Sequence, residues 1–198
     1  MKFLRKLYEW VLHWAETPYG PLALFLLALA ESSFFPIPPD PLLIALCLGA
    51  IKKSWRFAAY TSVASVIGGI IGYFIGFYVW ESVDSFFFRY IPGFTESLFQ
   101  QVMINYQTHG FWYVLAAGFT PIPYKVFTIA SGVFKLNFFF FLLASTLSRS
   151  LRFFTVAALF RKFGPGIKSI IDKYFNFLAI LFFILLLGGF LFIKSIIK

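Results

Sequence analysis

The chain reads as apolar segments of unequal length, separated by breaks rich in Pro, Gly and charge. Residues 1–16 place Phe3, Leu4, Leu7, Trp10, Val11 and Trp14 at helical spacing, with Lys2, Arg5, Lys6 and Glu9 between them. That pattern predicts an interfacial amphipathic helix with its Trp rings at headgroup level. Thr17, Pro18 and Gly20-Pro21 end it. Residues 22–35 are apolar apart from Glu31, Ser32 and Ser33, and four prolines then fall within Pro36-Ile37-Pro38-Pro39-Asp40-Pro41. No helix runs through such a stretch, because proline lacks the amide donor and clashes with the preceding turn. Residues 42–51 are apolar again, and Lys52-Lys53-Ser54-Trp55-Arg56 closes the segment. Each arm is shorter than the roughly 20 residues of a membrane-crossing helix. The two arms are therefore expected to form a re-entrant hairpin, its irregular backbone packed inside protein or lining a wet cavity.

Residues 57–80 form a long apolar run in which Gly68, Gly72 and Gly76 recur every fourth position. One helix face without side chains lets another backbone approach closely, within the chain or across a dimer. Residues 81–108 are more polar, with Glu81, Asp84, Arg89 and Glu96, and Pro92-Gly93 splits them. Their Phe86, Phe87, Phe88, Phe94 and Phe99 suggest short helices lying in the interface. Residues 110–119 are apolar, Pro121-Ile122-Pro123-Tyr124-Lys125 breaks the chain again, and 126–134 resume. This is a second short-armed hairpin. Residues 136–160 make a span that carries Arg149 and Arg152; Arg161, Lys162, Gly164-Pro165-Gly166 and Lys168 follow as a basic turn. A last span covers 174–193.

The two hairpins repeat one plan. Pro36-Ile37-Pro38 recurs as Pro121-Ile122-Pro123, an offset of 85, and at that offset Ile44 meets Ile129, Ala45 meets Ala130 and Asp40 meets Lys125. Each break is followed by a short arm, a polar point and a long span. With one true span per unit, the second unit enters the membrane from the opposite side, so the repeats are expected to be inverted. The expected organisation is an amphipathic helix over 1–16, a membrane domain over 17–165 and a C-terminal transmembrane helix within 166–198. In the domain, repeat 1 covers about 17–80 and repeat 2 about 109–162. The basic N-terminus and the 52–56 and 161–168 turns place those points, and the N-terminus, in the cytoplasm by the positive-inside rule. Lys194 and Lys198 would then lie outside, against that rule, so the side of the C-terminus stays open.

Composition narrows the class. Of 198 residues 60% are hydrophobic and only 13% charged, with 30 Phe. One soluble core of this size cannot hide that much apolar surface, so an all-α integral membrane protein is expected. The net charge of +9 reads as loops beside anionic headgroups. No basic stripe on a polar face points to nucleic acid. Cys47 is alone in an apolar run and reads as a small packing residue. The first 16 residues are too polar for a signal-peptide core, so no cleaved leader is expected.

Five ionisable residues fall within or beside apolar segments: Glu31, Asp40, Lys125, Arg149 and Arg152. A charge at a helix centre costs about 2.5–3.5 kcal/mol on the insertion scale, so five must pair, bind a ligand or face water. Asp40 and Lys125 hold equivalent points of the repeats with opposite sign and are expected to bridge across the pseudo-two-fold axis. Arg149 and Arg152 share a helix face with Ser145 and Ser148, and two guanidinium forks beside hydroxyls suit a phosphate or another oxyanion. Three cations against two acids leave one positive charge over, which favours an anionic guest. Desolvation favours the neutral carboxyl, so Glu31 is a candidate proton carrier. The alternative is a closed network in which the five neutralise one another.

Three ordered motifs, Glu31-Ser-Ser-Phe-Phe-Pro-Ile-Pro-Pro-Asp40, Gly118-Phe-Thr-Pro-Ile-Pro-Tyr-Lys125 and Ser148-Arg-Ser-Leu-Arg-Phe153, resemble the DedA family, whose domain is also called VTT or SNARE-associated, and in particular its small YqaA-like branch. The resemblance covers most of residues 17–165. It implies two membrane-embedded re-entrant hairpins in inverted repeats and lipid translocation. Bacterial members are linked to recycling undecaprenyl phosphate or phospholipids, some to the proton-motive force, and eukaryotic relatives look like scramblases. The family's acidic pair falls on Glu31 and Asp40, and the basic pair typical of the branch on Arg149 and Arg152. The second-hairpin motif, usually Gly-Arg-Phe-x-Pro-x-x-Arg, departs here: Phe119 follows Gly118 directly, and Lys125 sits one step beyond the last Arg position.

The expected function is movement of a phosphate-bearing lipid across a bacterial inner membrane. Lys125, Arg149 and Arg152 would hold the phosphate, while Glu31 and Asp40 would pair with them or carry protons. The alternatives are a proton-coupled ion or small-solute exchanger and a non-transporting membrane adaptor. Nothing points to an enzyme, a metal or a cofactor. His13 and His109 sit near segment ends as interfacial polar residues, no HExxH or paired Cys/His ligand set occurs, and no serine has a base at motif spacing.

Overall fold

The computed structural model describes residues 19–90, 95–120, 122–164 and 166. The amphipathic helix over 1–16, the last span over 174–193, Pro92-Gly93 and Pro121 lie outside the described residues. The described residues form six α-helices: α1 Gly20–Ser33, α2 Asp40–Gly49, α3 Ser54–Tyr90, α4 Glu96–Phe119, α5 Tyr124–Val133 and α6 Phe138–Gly164, with a 3-10 turn Ile51–Lys53 before α3. There is no strand among the described residues. Among the described residues two stretches are long and apolar enough to cross a membrane: Ile51–Tyr90, mean hydropathy 1.8, and Phe138–Gly164, mean hydropathy 1.2.

Proline placement shapes the first break. Pro21 lies in the first turn of α1 and Pro41 in that of α2, where a missing amide costs no helical hydrogen bond. Between them Phe34 to Pro39 are non-helical. Asp40 opens α2, and a carboxylate in the first turn is favoured by the helix dipole. The second break spans Thr120 to Pro123, between α4 and α5.

The glycine face of α3 is used inside the chain. A methyl group on Gly68 would overlap the Leu29 carbonyl of α1; on Gly72, the Thr128 hydroxyl of α5; on Gly76, the Ile129 carbonyl of α5. Gly132 of α5 answers from the other side, against the Tyr73 carbonyl. One stripe thus grips both short helices at backbone distance. Thr128 ties them together, its Oγ1 donating to the Ser32 carbonyl at 3.2 Å.

Two apolar clusters flank this contact. Leu24, Leu43, Leu46, Cys47, Phe57 and Phe153 pack α1 and α2 against α3 and α6. Tyr73, Tyr106, Val114, Tyr124, Leu136 and Phe141 pack α4 and α5 against α3 and α6. Cys47 is a fully buried packing residue, as expected.

The short interfacial helices expected over 81–108 are replaced by the ends of long ones. α3 continues through Glu81, Asp84 and Arg89 to Tyr90, and α4 runs unbroken from Glu96. Polar residues with good helix propensity do not stop a helix, and no Pro or Gly lies between Gly76 and Tyr90. At 37 residues, α3 extends about 55 Å at 1.5 Å per residue, well beyond the roughly 30 Å of a hydrocarbon core. Phe99 turns inward, stacking on Trp80 with centroids 5.0 Å apart and meeting Phe134 at 5.3 Å. The first arm of the second unit is consequently the end of a 24-residue helix, so the two units are unequal in length.

Candidate functional site

The five ionisable residues come together where the two breaks meet α6. Arg149 and Arg152 lie one turn apart on α6, Glu31 lies near the end of α1, Asp40 starts α2 and Lys125 lies in the first turn of α5. The pairing differs from the expected one. Asp40 does not bridge to Lys125; Arg152 takes it with both arms of the fork, Nη2 to Oδ2 at 3.0 Å and Nε to Oδ1 at 3.3 Å. Lys125 Nζ instead donates to the Phe35 carbonyl at 3.0 Å. A guanidinium presents two parallel donors that match a carboxylate, whereas an ammonium is a point charge suited to a single carbonyl.

The second pair is enclosed. Arg149 Nη2 donates to Glu31 Oε2 at 3.1 Å, and both side chains are buried. Arg149 Nε donates to Ser65 Oγ at 2.6 Å. Ser65 Oγ lies 2.6 Å from Ser32 Oγ, which donates to Glu31 Oε2 at 3.3 Å. The four side chains close a ring of hydrogen bonds across α1, α3 and α6. The guanidinium also lies 4.7 Å from the Tyr124 ring centroid and 4.6 Å from that of Phe153. A desolvated cation between two aromatic faces gains further stabilisation. A buried charge held on every side in this way is compensated, as its position in a membrane demands.

The two pairs differ in access. Arg149 and Glu31 side chains are 3% and 11% exposed, whereas Arg152 and Asp40 are 20% and 21%. Arg152 also serves the second break, with Nη1 donating to the Thr120 carbonyl at 2.6 Å. The hydrogen-bond ladder of α4 ends there, with the Thr120 amide donating to the Ala116 carbonyl, and the guanidinium takes up a carbonyl that the helix leaves orphaned. Lys125 does the same for Phe35 in the first break. Each break is thus fastened by a cation from elsewhere in the chain.

Ser148 and Ser145, expected beside the arginines, are buried, as Arg149 is. Ser148 Oγ donates back to the Ala144 carbonyl at 2.7 Å and leans against Gly118, where a side chain would displace it. Ser32, Ser65, Tyr124 and the Thr120 carbonyl complete the site; Ser32, Thr120 and Tyr124 stand inside the ordered motifs, but their spacing assigns them no role. Ser65 had a legible signal: Thr61, Ser65, Gly68 or Gly69, Gly72 and Gly76 form one small-residue stripe at helical spacing. Tyr124 and the Thr120 carbonyl had none, because their roles come from the fold of the second break. Pro36, Pro38 and Pro123 are non-helical, and Pro39 is the N-cap of α2. His109 lies apart, with its ring 6.3 Å from that of Tyr113 on α4.

Comparison with known proteins agrees with this frame. The model of the VTT domain matches residues 35–162. An uncharacterized protein of Haemophilus influenzae is 38% identical over 159 residues, covering 80% of this chain and 81% of its own. One of Histophilus somni is 33% identical over 176 residues, covering 87% and 91%. An uncharacterized protein of the archaeon Methanocaldococcus jannaschii is 26% identical over 140 residues, covering 68% and 79%. No solved structure matches the chain. The matched segment runs from the first break to the end of α6 and holds Asp40, Lys125, Arg149 and Arg152. The chain belongs to the VTT-domain, or DedA, family, membrane proteins often linked to transport.

Proposed function

We propose that this protein moves a phosphate-bearing lipid across a bacterial inner membrane, with the phosphate exchanging for Asp40 on Arg152. In this reading the α1–α2 and α4–α5 units are re-entrant hairpins of an inverted repeat, entering from opposite faces and meeting near the midplane. The observation that carries it is the contrast between the two pairs. Arg149–Glu31 is closed in and ringed by hydroxyls, a fixed joint between α1, α3 and α6. Arg152–Asp40 is half-open, sits on both breaks at once and has Lys125 in the same neighbourhood. A phosphate offers the bidentate acceptor geometry that Arg152 already uses. Lys125 supplies the positive charge left over after both carboxylates are paired. Releasing Asp40 frees it for a proton, which links headgroup exchange to a pH gradient. Because Arg152 also holds the Thr120 carbonyl, a ligand that moves this guanidinium loosens the second break. Transport follows only if the phosphate binds the two resulting states unequally.

The test is a flip assay in proteoliposomes with headgroup-labelled undecaprenyl phosphate and phospholipids. Arg152→Gln is expected to slow flip at least about tenfold, the equivalent of about 1.4 kcal/mol on the barrier, while the protein stays folded. An imposed pH gradient is expected to change the wild-type rate and to have less effect on Asp40→Asn. A well-folded wild type that moves no lipid would overturn the reading and favour solute exchange. Flip untouched by Arg152→Gln would remove the phosphate from this site.

A further inference from the structure

An open groove runs between the C-terminal half of α4 and the middle of α6, with a volume of 930 Å³. Trp112, Leu115 and Phe119 form one wall; Leu147, Leu151 and Phe154 form the other. Ligand sites typically enclose about 300–1,000 Å³, so its size suits a large apolar guest. Trp112, Leu147 and Leu151 leave half or more of their surface uncovered. Apolar surface bared in this way suits a hydrocarbon guest. From Trp112 to Phe119 the groove is about 10 Å long at the helical rise.

Its inner end gives it meaning. The Phe119 carbonyl lies 3.5 Å from Arg152 Nη1, and the next carbonyl, Thr120, is held by the same nitrogen. Ser148 and Ser150 line the groove on either side of Arg149 in sequence. The apolar channel therefore runs up to the half-open cation that also faces both breaks. A guest that fills both must be amphipathic, with an anionic head and a hydrocarbon tail leaving sideways between α4 and α6.

We infer that the α4–α6 groove binds one acyl chain of a lipid whose phosphate lies at Arg152, so that this groove sets which chains the protein accepts. The inference rests on the phosphate reading of Arg152 given above and adds the recognition of the tail. Filling the groove with Leu147→Trp or Ala116→Trp shortens it without touching the charged pairs, since both positions are exposed on its walls.

The direct test is photolabelling of the full chain in liposomes. One arm uses phosphatidic acid with a diazirine in the acyl chain; the other uses diacylglycerol with the same chain and no phosphate. Adducts are mapped by mass spectrometry. Labelling is expected to concentrate on Leu115, Leu147 and Leu151. It should be several-fold stronger with the phosphate-bearing lipid, and this advantage should disappear in Arg152→Gln. Leu147→Trp is expected to move the adducts out of the groove. Labelling spread evenly over the outer faces of α4 and α6, or equal with both lipids, would overturn the inference. So would disulfide cross-linking of Leu147→Cys between copies in native membranes, which would make the groove a contact between protomers. Groove labelling by phosphatidic acid together with no flip by the wild type would instead overturn translocation while leaving the lipid site standing.

Discussion

Arg149→Met is expected to destabilise the protein by about 3–5 kcal/mol, the range for removing one partner of a buried ion pair. The substitution leaves Glu31 among Ser32, Ser65 and apolar neighbours with its strong donor gone. It also removes the cation from between Tyr124 and Phe153. Thermal melting of the purified protein in detergent measures the loss. Replacing both partners, as Glu31→Gln with Arg149→Met, is expected to recover part of it, because no uncompensated charge then remains. A single mutant that melts like the wild type would show that the pair is wet and replaceable, against its burial. This prediction separates the two arginines: Arg149→Met acts first on folding, Arg152→Gln first on flip.

Gly132→Leu is expected to have the second largest effect, at or above the roughly 1–3 kcal/mol usual for overpacking. The added side chain on α5 meets the Tyr73 carbonyl and the Phe77 amide of α3. Those atoms belong to helix backbone and cannot turn aside as a flexible side chain would. α5 must separate from α3, carrying Tyr124 and Lys125 away from the charged site and breaking the Thr128 link to Ser32. Gly49→Ala is the control: a methyl group there meets nothing within 4 Å, so its effect is expected to stay within about 0.5 kcal/mol. Melting curves of the two variants decide the point. Equal stability would mean that α3 and α5 do not touch at backbone distance in the membrane.

The prolines at 36, 38, 39 and 123 announced the breaks because proline's effect on a helix is local and needs no partner. The four-residue glycine spacing announced a packing face for the same reason, but its two occupants, α1 and α5, are set by three-dimensional contact. Residues 81–108 suggest short interfacial helices through their Phe residues and the Pro92-Gly93 split, yet the charged positions lie on the ends of long helices. Polarity alone does not end a helix, and α3 carries its charges well past the apolar run.

The charged site divides along the same line. Sequence by itself determined that Glu31, Asp40, Lys125, Arg149 and Arg152 had to be compensated, since the cost of a bare charge in an apolar segment is independent of fold. It also determined that Arg149 and Arg152 share a helix face, because that follows from spacing alone. Only the tertiary structure decided who pairs with whom. The repeat equates Asp40 with Lys125, but equivalent positions need not touch, and a third element, α6, reaches Asp40 first with a better-matched donor fork. Burial then split two chemically identical arginines into an enclosed joint and an accessible one, a difference that arises from the packing of Tyr124, Phe153 and Ser65 around a single side chain and that no local pattern encodes.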